Sequence, residues 1–221
     1  MDFEKARFLM IEQQIRTWEV LDPSVLDLLF ALKREDFVPA AYRSLAFVDM
    51  EIPLGDDQAM MAPKLEARIV QEVAPKAGDA VLEIGTGSGY LAALLAKQAA
   101  HVTSIEYFED LSRAAAANLA QAAISNVQLK IGDAANDLAG LIGAGARFDV
   151  IVLSASVPLL PPVFLDYLKV GGRLFAVIGD APAMKATIIT KTDEISFVSN
   201  EIFETVLAPL VNATQPSRFA F

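Results

Sequence analysis

Ten residues, Val81-Leu82-Glu83-Ile84-Gly85-Thr86-Gly87-Ser88-Gly89-Tyr90, constrain this chain more than any other stretch. Val81 to Ile84 read as a strand, glycines follow at every second position, and Leu91 to Ala96 read as a helix. A strand that turns through glycines into a helix is a nucleotide-binding device. Glycine permits the tight turn and lets a ligand lie against bare backbone, and the helix N-terminus supplies free N–H groups and a partial positive charge. The dinucleotide fingerprint requires G-x-G-x-x-G. Here the spacing is G-x-G-x-G, and Tyr90 in the sixth place keeps the helix from packing closely. Glu83, just before the glycines, would repel a pyrophosphate but suits a ligand bearing an amino group or a sulfonium.

Glu-x-Gly-x-Gly-x-Gly at the end of a first strand resembles motif I of the S-adenosylmethionine-dependent methyltransferases. The rest of the chain agrees. Strand and helix patterns alternate at intervals of about 20–25 residues, the spacing of βα units. After the helix at 88–98 come a strand at 101–106, a helix over about 109–122, a strand at 127–130 and an apolar, central strand at 148–154. A helix from Pro161 to Leu168 follows. Gly171-Gly172 then turns into a strand at 173–178, and two β segments lie at 184–192 and 195–207. Apolar residues make up 54% of the chain, yet no run reaches the roughly 18 needed to cross a membrane. The longest, 150–163, is broken by Ser154, Ser156, Pro158, Pro161 and Pro162. So much apolar sequence suits a parallel sheet covered on both faces.

Upstream, residues 2–17 carry a mostly helical apolar spacing. Asp22-Pro23 opens a second helix, with Val25, Leu26, Leu28, Leu29 and Leu32 as its buried stripe. Residues 42–58 read as an irregular, loop-rich cover, and Pro63 begins another helix. The expected organisation is a helical cap with an active-site loop over 1–75, within the same globular unit as a cofactor-binding α/β portion over 76–221. The fold class is α/β, a Rossmann-like methyltransferase fold with a mainly parallel sheet and an antiparallel edge.

Ligands of open α/β sheets sit beyond the carboxyl ends of the strands. Glu106 ends the second strand, 19 residues after Gly87, where a carboxylate accepts both hydroxyls of a ribose. Asp133, after the third, is placed to accept from an adenine amino group, with Ala134 beside it. The candidate cofactor-binding set is Glu83, Gly85, Thr86, Gly87, Ser88, Gly89, Glu106, Tyr107, Asp133 and Ala134. Ser154 and Ser156 end the fourth strand and either face the reacting centre or merely terminate it. Asp149 falls at the opposite end and reads as structural, as does Trp18. His101, the one histidine, opens the second strand and reads as a surface residue. Asp49, Glu51, Asp56 and Asp57 fit no calcium loop and read as a solvated acidic loop, so no metal is expected.

The absence of cysteine excludes disulfides, thiolate metal sites and a cysteine nucleophile. With no basic, apolar leader at the start, a cytoplasmic location is expected. A net charge of −10 argues against nucleic acid or anionic membrane as partner, though not against a small anionic substrate held by local donors. Oligomeric state is not specified. Without a placed histidine, cysteine or metal, the chemistry that fits is methylation of a carboxylate, which is ionised at neutral pH and needs mainly alignment with the donor.

Several further pieces are similar to the protein-L-isoaspartate O-methyltransferases over nearly the whole length: Met10 to Arg16, Asp22 to Leu26, Arg34-Glu35-Asp36-Phe37-Val38-Pro39, Pro53-Leu54-Gly55, Val81 to Tyr90, Phe148 to Val152 and Leu168 to Leu174. The resemblance implies a pocket for S-adenosylmethionine built from Glu83, Gly85, Gly87, Glu106 and Asp133. It also implies an acceptor that is the abnormal α-carboxylate of an isoaspartyl residue in a damaged protein. One loop departs from the pattern. Where the family carries Gln-Thr-Ile-Ser with hydroxyls lining the active site, this chain has Gln58-Ala59-Met60-Met61, and both hydroxyls are gone. These four are the acceptor-loop candidates. Their apolar character also fits a more apolar small-molecule acceptor, or a homologue that binds the cofactor without turnover.

Overall fold

The computed structural model describes residues 2–216. Helix α1 (Phe3–Met10) is capped by Asp2, whose side chain accepts the Lys5 N–H. It runs on through a wide turn over Ile11–Ile15 and a tight one over Arg16–Trp18, so the helix expected over 2–17 carries two irregular turns. Helix α2 (Pro23–Ala31) starts where Asp22 and Pro23 predict, with the Asp22 carboxylate accepting the Ser24 N–H at 2.8 Å. The stretch expected to be irregular, 42–58, holds the end of a 3₁₀ segment (Ala40–Leu45) and most of a hairpin, β1 (Ile52–Gly55) and β2 (Gln58–Met60). Its turn uses Asp56 and Asp57, both left-handed (φ 51° and 56°), where a legible hairpin carries Asn or Gly.

Helix α3 (Pro63–Val73) leads into β3 (Ala80–Ile84), α4 (Tyr90–Gln98), β4 (His101–Glu106), α5 (Glu109–Gln121) and β5 (Val127–Ile131). Then come a short α6 (Leu138–Ile142), β6 (Phe148–Val157), α7 (Pro162–Asp166), β7 (Leu168–Ile178), β8 (Lys185–Lys191) and β9 (Phe197–Glu204). Seven strands form one sheet in the order β5-β4-β3-β6-β7-β8-β9. The first five are parallel, β8 pairs antiparallel with β7, and β9 pairs antiparallel with β8, so β8 alone runs against the rest. The expected antiparallel edge therefore spans both of these pairings.

Alternation along the inner strands divides the core. Val81, Val150, Val152, Phe175 and Val177 face α3, α4 and the N-terminal helices, in one cluster with Met10, Leu29, Phe37 and Ile69. Leu82, Ile84, Ile151, Leu153, Leu174 and Ala176 face the other layer, around Phe164 and Leu138. The N-terminal helices thus share their core with the sheet.

Two departures from expectation have a structural cause. Gly171 and Gly172 lie inside β7 rather than in a turn before it. A Cβ on Gly172 would come within 2.8 Å of the Lys169 carbonyl and 3.1 Å of those of Phe148 and Asp149, so close backbone approach requires the glycine. Strand β6 runs three residues past Ser154, because the chain returns to pair with its end. The Ser156 N–H donates to the Ala208 carbonyl, and the Leu210 N–H donates to the Ser156 carbonyl, both at 2.8 Å. The tail, expected either to cover the acceptor site or to close the sheet edge, lies along β6 over 207–213. Its last five residues, 217–221, fall outside the described part.

Strand direction reverses its winding between β3 and β6: β4 lies on one side of β3, β6 on the other. The crevice that such a reversal opens beyond the strand ends is where ligands bind in sheets of this kind.

Candidate active site

The glycine turn fills that crevice. Gly85, Gly87 and Gly89 all have positive φ (97°, 53° and 83°), which side chains disfavour. Two of them are also crowded: a Cβ on Gly87 would meet Leu54 at 3.3 Å, and one on Gly89 would meet Ala115 of α5 at 3.2 Å. Spacing in the motif therefore serves both conformation and contact with the hairpin and with α5.

Glu106 is 5% exposed. Its Oε2 accepts the Gly87 N–H at 2.8 Å and its Oε1 accepts the Phe108 N–H at 3.0 Å. Each carboxylate oxygen has two lone pairs, so one on each remains free for a pair of hydroxyls. Asp133 lies at the end of β5, where turn amides and two carboxamides hold its carboxyl below the ordinary range against the opposing effect of burial.

One cleft gathers these residues, with about 780 Å³ of empty space, part of it open to solvent. Gly85, Thr86, Gly87, Ser88, Glu106, Tyr107, Asp133 and Ala134 line it, as do all four loop residues Gln58, Ala59, Met60 and Met61. Of the sequence candidates, Glu83 and Gly89 are not on its wall. Gly89 caps α4 instead.

Glu83 lies beneath the turn, fully buried. The Ser104 hydroxyl donates to its Oε2 at 2.5 Å and lies 2.6 Å from the Thr86 hydroxyl. Burial pushes this carboxyl up to about 8, outweighing the hydroxyls of Ser104 and Ser154, and the Glu106 charge adds to the rise. The reading of Glu83 as a fixed anion thus becomes that of a neutral acid at pH 7 in the ligand-free chain. Its ordinary value is 4.5, so between about pH 4.5 and 8 the folded chain holds a proton that the unfolded chain has released. Stability contributed at this site therefore falls as pH rises through that window and levels off above it. Glu83→Gln removes the titration. We expect the urea midpoint of the variant to gain on wild type steadily between about pH 5 and about pH 8.5. Parallel profiles would contradict the assignment.

The hairpin is held from behind. Arg34, 1% exposed, donates its Nε to the Ala46 carbonyl (2.9 Å) and an Nη to the Met61 carbonyl (2.7 Å), and it pairs with Glu66, itself on the cleft wall. The Arg34 guanidinium also stacks 5.1 Å over the Tyr90 ring. Tyr90 is buried, which pushes its phenol up to about 12. The residue that breaks the dinucleotide fingerprint is therefore the seat of the N-terminal helices. Arg7 and Glu35 form a second buried pair nearby.

Ser154 and Ser156 divide the two roles left open for them. Ser154 belongs to the cleft wall, with its Oγ buried. Ser156 is structural: its Oγ donates to the Leu207 carbonyl at 2.9 Å. Pro209, Leu210 and Val211 thereby close the cleft from above, as do Leu91, Phe108 and Leu111 from the helical side. Nothing local marks these residues in the sequence, because chain return and helix packing place them.

His101 is exposed at the far end of β4. Asp149 accepts the Ala80 N–H and the Lys169 ammonium, which hold its carboxyl low against burial. Trp18 packs on Phe203 with ring centres 5.4 Å apart. Asp49 pairs with Lys64, and Asp56 and Asp57 make the hairpin turn. Among the described residues no three His, Asp or Glu side chains are gathered to hold a metal ion, and no helix is long and apolar enough to cross a membrane.

Residues 5–215 match the family model of protein-L-isoaspartate(D-aspartate) O-methyltransferase. A protein-L-isoaspartate O-methyltransferase 1 of Rhodopseudomonas palustris is 36% identical over 95% of this chain and 84% of its own. The protein-L-isoaspartate O-methyltransferase of Syntrophotalea carbinolica is 34% identical over 96% and 95%. A crystal structure of a Plasmodium falciparum protein described as a putative member of this group, in complex with S-adenosyl-L-homocysteine, shares the fold. It has a TM-score of 0.77 and 19% identity over 95% of this chain and 98% of that one. A second solved protein-L-isoaspartate O-methyltransferase gives a TM-score of 0.76 at 25% identity, covering 93% of this chain and 65% of that one.

Proposed function

The chain belongs to the protein-L-isoaspartate(D-aspartate) O-methyltransferase family, and from that premise we propose that it methylates the free α-carboxylate of isoaspartyl residues in damaged proteins or peptides, with S-adenosylmethionine as donor. The observation that carries this reading is the single cleft that joins a nucleoside-sized floor around Glu106 to the hairpin residues Gln58 to Met61.

The residues fit such a cofactor. Gly85 and Gly87 offer bare backbone, and the Glu106 carboxylate keeps a free lone pair on each oxygen for the ribose hydroxyls. Asp133 and Ala134 form the purine end, and Thr86, Ser88 and Tyr107 complete the wall. When bound, S-adenosylmethionine supplies a methyl group activated by its sulfonium leaving group.

The chain's own task is then alignment. An acceptor carboxylate is already ionised at neutral pH and needs no base. Ala59, Met60 and Met61 present an apolar wall that strips water from it. Of the four loop residues only Gln58 carries side-chain N–H donors, so Gln58 and backbone amides orient the acceptor. Arg34, through the Met61 carbonyl, keeps the loop in register with the glycine turn. The ester product is a far better electrophile than the carboxylate, so the neighbouring backbone amide can close a succinimide and release alcohol.

Within this reading, residues 1–75 form the acceptor-side cap and 76–221 the cofactor-binding portion of one globular unit. A net charge of −10 leads us to assign no nucleic-acid or anionic-membrane partner, and a cytoplasmic setting suits a cysteine-free repair enzyme. The test is conversion of an isoaspartyl peptide to its aspartyl form in the presence of S-adenosylmethionine, followed by reverse-phase chromatography. The expected result is accumulation of the aspartyl peptide. No conversion, with methylation of a small apolar carboxylic acid instead, would move the acceptor to the small-molecule class.

A further inference from the structure

Asp133 accepts four hydrogen bonds. Oδ1 takes the N–H groups of Ala135 (3.0 Å) and Asn136 (3.2 Å), and Oδ2 takes the carboxamides of Asn136 (2.7 Å) and Asn212 (2.8 Å). A carboxylate offers about four lone-pair sites, so none remains for another donor. Three of the bonds are local, from the turn that follows Asp133. The fourth comes from 79 residues further along the chain.

Asn212 is built to let go. It follows the tail segment that roofs the cleft, which Ser156 anchors by two backbone bonds and one hydroxyl bond. On its other side Ala213 is buried in the core. Asn212 itself is exposed and left-handed, with φ 59°. Its carboxamide can therefore rotate off Asp133 while the backbone on both sides stays in place.

We propose that Asn212 is an affinity gate on the purine subsite, tempering its preference for a 6-aminopurine: its carboxamide holds the place on Asp133 that the exocyclic amino group of such a purine takes on binding. The proposal rests on the cofactor reading above and deepens it. An amino group is a donor like the carboxamide it displaces, so the exchange leaves Asp133 with the same number of bonds. At position 6 a 6-oxopurine presents an acceptor instead of a donor, so that atom does not displace the Asn212 carboxamide from Asp133.

The experiment is calorimetric titration of wild type and Asn212→Gly with S-adenosylhomocysteine and with S-inosylhomocysteine. Glycine suits the left-handed backbone, so the variant loses the carboxamide without strain. Removing the competitor should tighten adenosyl binding by about three- to tenfold and leave inosyl binding unchanged. Adenosyl binding that is unchanged or weaker in the variant overturns the gate, as does equal tightening for both ligands. If wild type binds neither nucleoside, the gate falls together with the cofactor reading, so the two failures are distinguishable.

Discussion

Glu106→Gln is expected to weaken binding of S-adenosylmethionine and S-adenosylhomocysteine by roughly 100-fold, equivalent to about 2.7 kcal/mol. The carboxylate is nearly buried, and each of its oxygens already holds a backbone N–H, from Gly87 and from Phe108. Hydrogen bonds to an ionised acceptor contribute about 1.5–3 kcal/mol each. The amide keeps the shape but has a single acceptor oxygen. It loses one ribose hydroxyl outright and turns an NH₂ group toward one of the two backbone donors. The loss therefore falls on the ligand and on the glycine turn together. Titration calorimetry on a variant shown by circular dichroism to be folded provides the check. An affinity within a factor of about 3 of wild type would remove Glu106 from the ribose subsite.

The second large effect is expected at Arg34. Arg34→Met deletes a cation that serves Glu66, the Ala46 carbonyl and the Met61 carbonyl in the interior. Breaking a buried ion pair from one side typically costs about 3–5 kcal/mol, because the partner charge is left without compensation. For a chain of this size that lowers the melting temperature by roughly 6–20 °C. Restoring neutrality with Arg34→Met and Glu66→Leu together should recover most of the stability. It should not recover acceptor binding, since the Met61 carbonyl still lacks its donor and the loop is free to shift. KM for the peptide should stay raised in the double variant with cofactor affinity near wild type. Full recovery of both stability and KM would reduce Arg34 to a packing role.

Much of this architecture is legible in the sequence. Period-2 apolar strands, the glycine turn and Asp22-Pro23 are local signals, and each element lies near where they predict. What is not legible depends on contacts between distant segments. The hairpin at 52–60 hides behind an Asp56-Asp57 turn that does without glycine at its centre. Gly171-Gly172 has the look of a turn but serves close backbone approach within β7. Ser154 and Ser156 are equivalent on paper, and only the returning tail separates a cleft residue from a structural one. For the site, the order of strands brings Glu106 and Asp133 to the same cleft as the turn. The burial of Glu83 is legible only in three dimensions. Its place before the glycines suggests a ligand-facing anion, whereas the fold encloses it beneath them, with a proton retained to about pH 8.

The measurement that tests the central claim most directly is the initial rate of labelled methyl transfer from S-adenosylmethionine to two peptides of identical sequence, one isoaspartyl and one aspartyl. The account predicts base-labile label in the isoaspartyl peptide alone, despite Ala59 and Met61. Equal labelling of both peptides, or none in either while the cofactor binds, would contradict it.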